Sequence, residues 1–205
     1  TPLTLGAILW RRRGLLLPAH AVSWWMPDVL ESLLSLGIRS VEQPLPPGDV
    51  EATKAMMEAF EDELVFGFDQ SAVTSQDIDR LMGTFPKGYM TLSIPKNGGW
   101  FTCNKFAAKV TKGGWQATLG ATPGESSLSV ALTRILAAKG ELFTHCEGTL
   151  PAQFLTADLT AEPLGIGTFG EGSVEQLKGI AGYGFPIAQS AIRGITRQTV
   201  ETPFL

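Results

Sequence analysis

The stretch Ser40-Val41-Glu42-Gln43-Pro44-Leu45-Pro46-Pro47-Gly48-Asp49 reads as a short buried strand that stops at a proline. A carboxylate and an amide, Glu42 and Gln43, stand at its end, and a helix is predicted to begin at Asp49. Strand, loop and helix in that order make one βα step, and acids at such strand ends are where α/β barrels keep their chemistry. The same layout recurs at Leu64-Val65-Phe66-Gly67-Phe68-Asp69-Gln70-Ser71, apolar and then acidic. Glu42 and Asp69, at successive strand ends, are therefore a candidate metal site. The blander alternative has Glu42 capping or ion-pairing a loop.

Toward the N-terminus, residues 3–13 look like a helix end closed by Gly14. Leu15-Leu16-Leu17 would be a strand ending at Pro18, with Ala19-His20-Ala21 at its mouth. Pro27 suits a first helical position, and Val29, Leu30, Leu33, Leu34 and Leu36 make one apolar face up to Gly37. Residues 38–42 follow as a strand. Toward the C-terminus, Asp49 caps a helix to about Phe60, with Val50, Met56, Met57 and Phe60 inward. A strand is expected over 64–68, then a helix capped by Thr74 or Ser75 and closed by Gly83. Strands over 89–94 and 116–119 flank a helix over 100–111, and a helix over 125–139 precedes a last strand, Leu142-Phe143-Thr144.

Strand-helix alternation repeated in this way means a parallel sheet with helical crossovers. The glycine- and proline-rich segment from Glu147 onward loses the alternation and reads as a connecting loop and tail, with one helix near 187–194. The expected organisation is a barrel-like unit over 1–146 and a loop and tail over 147–205. An open doubly wound sheet also fits alternation, but the first strand is followed by no glycine fingerprint and the chain has no phosphate loop.

A chain of 205 residues is ample for a real core. A net charge of -4 gives no basic footprint for nucleic acid, and Arg11-Arg12-Arg13 reads as a solvated helix end. No apolar run approaches the ~20 residues of a membrane span. Cys103 and Cys146 lack the spacing of a metal knuckle or redox pair and are expected to be small core residues. A soluble, intracellular protein is the expectation.

The motifs, in order, resemble the barrel domain of the enolase superfamily, on its muconate-lactonizing branch with dipeptide epimerases and o-succinylbenzoate synthases. Val41-Glu42-Gln43-Pro44-Leu45-Pro46 is similar to "IEQPLP", Phe68-Asp69-Gln70-Ser71 to "LDES", and Ile94-Pro95-Lys96-Asn97-Gly98-Gly99 to "IAKNGG". The loop from Gly120 to Gly124 before Glu125-Ser126-Ser127 is similar to the branch's glycine-rich loop, and Glu147-Gly148 with residues 155–164 to its post-barrel segment.

The resemblance implies a partial (β/α)8 TIM-type barrel of about six βα units, without the capping domain and first strands. It implies magnesium held by three strand-end acids, stabilising an enolate formed when a lysine takes the proton alpha to a carboxylate. Glu42 and Asp69 match two of those ligands, whereas the third falls on His20, or on Ala19 with a one-residue shift. An imidazole there favours a transition metal more than three acids would. The sixth-strand lysine falls on Ser93, which cannot serve as the base. Lys96 matches the loop lysine instead, and Gln70 replaces a glutamate beside the ligand Asp69, which reads as the loss of a supporting acid.

A positioned general base is typically worth about 10²–10⁴-fold, so the resemblance implies a barrel that has kept fold motifs and lost chemistry. The expected role is a structural or accessory subunit, with other protein chains covering or completing the open barrel. Ser23-Trp24-Trp25-Met26 and residues 165–185 are candidate contact surfaces. The alternative is a metal-dependent epimerase or lyase acting on a small carboxylate, with the missing residues supplied by another chain. A flavodoxin-like binding module is the third reading, with its ligand at a strand-order switch.

Overall fold

The computed structural model describes residues 19–20, 27–61, 63–122, 124–147, 155–160, 164 and 186–195. Its strands are β1 (Ala19–His20), β2 (Ser40–Glu42), β3 (Val65–Phe68), β4 (Tyr89–Leu92), β5 (Gln116–Leu119) and β6 (His145–Cys146). Its helices are α1 (Pro27–Ser35), α2 (Val50–Ala59), α3 (Ser75–Thr84), α4 (Trp100–Lys112), α5 (Ser127–Ala138) and α6 (Gln189–Ile195). The strands follow one another in the sheet in sequence order, and each neighbouring pair from β1 to β4, like β5 with β6, is parallel. The fold is α/β, as the alternation requires: a parallel strand can reach its neighbour only through a crossover. By contact the chain divides into two compact units, Thr1–Leu92 with Phe106–Ala117, and Ser93–Lys105 with Thr118–Leu205.

The first unit holds β1 to β4. Val41, Phe66, Phe68, Met90 and Leu92 are buried on its strands, with Leu30, Ile78 and Phe85 buried beside them in sequence on the helical side. The Phe68 ring stacks on Phe85 at 5.0 Å between centroids and meets Trp115 at 5.9 Å, spacings at which aromatic pairs attract beyond their area. Local chemistry starts both middle helices. Asp49 accepts the Ala52 N–H at the head of α2. Thr74 and Asp77 form a reciprocal capping box at the head of α3. Those hydrogen bonds from Thr74 hold the Asp77 carboxyl below its ordinary value, so the stabilisation is present at neutral pH and is lost as pH falls through the folded value. Lys109 ties α4 to α3, reaching Asp79 at 2.6 Å and Ser75 Oγ at 2.9 Å.

The second unit contains Thr118 and Leu119 of β5 paired with His145 and Cys146 of β6. Val130 and Ala131 of α5 pack with Leu164, so the segment expected to be a tail contributes to a core. Thr160 bridges Ile187 antiparallel, and α6 lies where the one C-terminal helix was expected.

Several local expectations change. The described part of β1 pairs Ala19 with Val41 and His20 with Glu42; the strand expected at Leu15-Leu16-Leu17 lies outside the described residues. Helix α3 runs one residue past Gly83, which costs a helix only ~1 kcal/mol and does not stop it. Helix α5 starts at Ser127 and not at Glu125, because Ser126 takes the cap. The last strand is His145–Cys146 and not 142–144, since pairing with Thr118–Leu119 outweighs the apolar pair Leu142-Phe143. Cys103 is buried as expected, whereas Cys146, at the end of β6, is exposed. Residues 23–26 and 165–185 lie outside the described set.

Candidate functional site

Register places the predicted residues side by side. His20 pairs with Glu42, Glu42 with Gly67, and Gly67 with Tyr89, one row across four parallel strands. Neighbouring strands are ~4.8 Å apart, so His20 and Glu42 occupy adjacent positions; the His20 side chain lies outside the described set. Asp69 follows β3 directly, two residues beyond Gly67.

Glu42 ends β2 with its side chain buried. It is 1% exposed, and its Oε2 accepts a hydrogen bond from the Thr91 hydroxyl at 2.5 Å. That contact spans from β2 to β4, across the strand that carries Gly67. Glycine is needed at 67 for a steric reason: a Cβ there would come within 2.1 Å of Cζ of Tyr89. The Tyr89 ring thus lies over Gly67 and fills the row beside the carboxylate. Neither the Thr91 contact nor the Tyr89 placement was anticipated, and the glycine inside an otherwise apolar strand was the available signal.

Asp69 is half-buried. Its Oδ2 accepts from Gln70 Nε2 at 2.7 Å, so the glutamine read as a loss supplies a donor to the carboxylate. Gln43 does more. Its Oε1 accepts from the backbone N–H of both Asp69 and Ser71 at 3.2 Å, and its Nε2 donates to the Leu45 carbonyl at 2.7 Å. Its backbone N–H donates to the Gly67 carbonyl at 2.9 Å. All this occurs at φ +43°, a left-handed conformation costly for a residue with a side chain, by ~1–3 kcal/mol.

The second unit carries the position implied for the base. Ser93 is 5% exposed, and its N–H donates to Oδ1 of buried Asn97 at 2.8 Å. The Asn97 N–H returns to the Ser93 carbonyl at 3.0 Å, closing a tight turn. Nearby in that unit, burial pushes the Cys103 thiol up to about 11, against a smaller opposite pull from Lys96. The thiol is therefore protonated at neutral pH and a poor nucleophile.

Glu42 and Asp69 supply hard carboxylate oxygens, which is the donor type magnesium takes, commonly one or two carboxylates completed by water. In donor chemistry they fit. Among the described residues no group of three or more His, Cys, Asp or Glu is placed to hold a metal. No helix there is long and apolar enough to cross a membrane.

No protein-family model matches the chain. Over 130 residues it is 30% identical to an N-acetyl-D-glutamate racemase of Pseudoalteromonas sp, covering 62% of this chain and 39% of that protein. Its fold matches muconate lactonizing enzyme from Klebsiella pneumoniae with a TM-score of 0.64 at 21% identity, over 81% of this chain and 45% of that one. It also matches a dipeptide epimerase from Cytophaga hutchinsonii, solved with Mg and the dipeptide D-Ala-L-Val, with a TM-score of 0.54 at 17% identity, over 64% and 34% of the two chains. The chain thus spans less than half the length of these relatives. Along that span, motif order and fold agree: the chain is similar to part of the barrel domain of the enolase superfamily, on the side of its muconate-lactonizing enzymes, racemases and dipeptide epimerases.

Proposed function

We propose that this chain holds a divalent cation, magnesium by donor chemistry, through Glu42 and Asp69, and through it the carboxylate of an N-acylated amino acid, without removing the α-proton. Ser93 carries the second half of this reading. A serine hydroxyl has neither the basicity nor the reach of the lysine that the resemblance puts there, and its surroundings include the polar turn closed by Asn97. The first half rests on two strand-end carboxylates in a resembling motif order, and on the resemblance to a racemase of an N-acetylated amino acid.

When bound, the cation would neutralise a substrate carboxylate and withdraw charge from it. The chain's own groups bind and orient. Glu42 and Asp69 supply oxygens, the Thr91 hydroxyl fixes the Glu42 carboxylate, Gln70 fixes that of Asp69, and the Tyr89 ring fills the row beside Glu42. In this reading the site serves as an accessory part of a larger assembly, with other protein chains against the sheet.

Isothermal titration of Mg2+ into the chain tests the cation half. The unsubstituted protein should bind, and Glu42→Gln and Asp69→Asn should each weaken binding by about tenfold or more. Equal heats from all three proteins would sink the assignment. A second reading, a working epimerase or lyase whose base lies outside the described residues, is favoured by the 30% identity to a racemase. It binds the cation equally and differs only in moving the α-proton.

A further inference from the structure

We propose that Gln43 is a positioning residue that sets the Asp69 carboxylate for cation binding, an inference that rests on the cation reading of Glu42 and Asp69. Gln43 directly follows Glu42, at the end of β2. Its single amide group makes bonds in two directions. The oxygen accepts from the N–H groups of Asp69 and Ser71, bracketing the turn that presents Asp69. The nitrogen donates to the Leu45 carbonyl and closes the loop of its own strand. The backbone N–H continues the ladder onto the Gly67 carbonyl. One residue therefore joins the strand end that carries Glu42 to the turn that carries Asp69.

The backbone supports a purpose beyond packing. A residue before proline is steered toward extended conformations, yet Gln43 precedes Pro44 and sits at φ +43°. Such a conformation persists only when the surroundings over-determine it, and residues of this kind gather at functional sites. Here the surroundings are the amide's own hydrogen bonds. A leucine or alanine in the same fold would leave the N–H groups of Asp69 and Ser71 without this acceptor, and the turn between them free to rotate the carboxylate away. An amide is also the one group of this size that accepts twice on one side and donates on the other.

The test separates backbone strain from the bracket. Gln43→Gly adopts φ +43° without penalty but has no amide, and Gln43→Ala lacks the amide and keeps the strain. The readouts are Mn2+ affinity, followed by the electron paramagnetic resonance signal of the free ion, the exchange rate of the Asp69 and Ser71 amides, and Tm. Mn2+ serves as the probe because it takes the same carboxylate oxygens. The unsubstituted chain should bind Mn2+, and Gln43→Gly should bind it about 10–100-fold more weakly. In Gln43→Gly the Asp69 and Ser71 amides should exchange faster, while Tm stays within a few degrees. Gln43→Ala should lose affinity equally and lose Tm as well. If the unsubstituted chain binds Mn2+ and Gln43→Gly binds it as tightly, the positioning role is wrong. If the unsubstituted chain binds no Mn2+, the cation reading itself fails and takes this role with it.

Discussion

On the resemblance, which alone puts the base at position 93, Ser93→Lys should raise exchange of the α-proton of an N-acylated amino acid in deuterated buffer by about 10²–10⁴-fold over the unsubstituted chain, the usual worth of a positioned base. The environment favours the amine. Position 93 is buried, and burial lowers a lysine pKa toward neutrality, where the free base is populated. The hydrogen bond from Ser93 to Asn97 uses the backbone N–H, so the turn survives the change of side chain. Filling a packed position costs ~1–3 kcal/mol, and Ser93→Met controls for that bulk. The methionine variant should be destabilised alike and remain silent. A folded, cation-binding Ser93→Lys protein with no exchange would show that more than this base is missing.

Asp158→Ala should lower Tm by roughly 6–12 °C, from a loss of about 3 kcal/mol. Asp158 accepts the Ser127 N–H with both carboxylate oxygens, at 3.0 and 3.1 Å, and the Ser127 hydroxyl at 2.5 Å. It also accepts the N–H of Leu159 at 2.6 Å. Ser127 is fully buried at the first turn of α5, where backbone donors have no partner within the helix, and a carboxylate there also meets the positive end of the helix dipole. The Ser127 hydroxyl in turn accepts the Leu164 N–H at 2.8 Å, so one acid fastens a later segment to α5. Thermal unfolding with amide exchange at Leu164 checks this. An unchanged Tm with Leu164 still protected would mean the contact is incidental.

What was legible in the sequence was local. Strand-helix alternation located β5 to the residue, and Asp49 and Thr74 announced their helices because a cap is written within four residues of what it caps. The strand-end positions of Glu42 and Asp69 could be found because proline and acid residues punctuate apolar runs. The parts that escaped depend on register. The Thr91 hydroxyl reaches Glu42 across 49 residues of chain, and Gln43 reaches Asp69 across 26. The Tyr89 ring lies over Gly67 only because those two residues pair. No spacing within a strand encodes such partners. The last strand was misplaced for the same reason: Leu142 and Phe143 look more strand-like than His145 and Cys146, but the ladder with Thr118 and Leu119 decides.

Gln70 shows a different limit, that of a residue read only by what it replaces. As a substitute for glutamate it read as a loss, yet an amide beside Asp69 can donate to the carboxylate at neutral pH, and it does so at 2.7 Å. A glutamate there would donate only when protonated. The substitution therefore keeps Asp69 oriented and adds no second negative charge beside it.

The decisive measurement is the proton NMR signal at the α-carbon of N-acetylglutamate in deuterated buffer with the unsubstituted chain and saturating Mg2+. A cation-binding site without a base predicts that the signal decays no faster than in a chain-free control. Decay that requires both chain and Mg2+, and that is abolished in Glu42→Gln, would contradict it and establish a working catalyst.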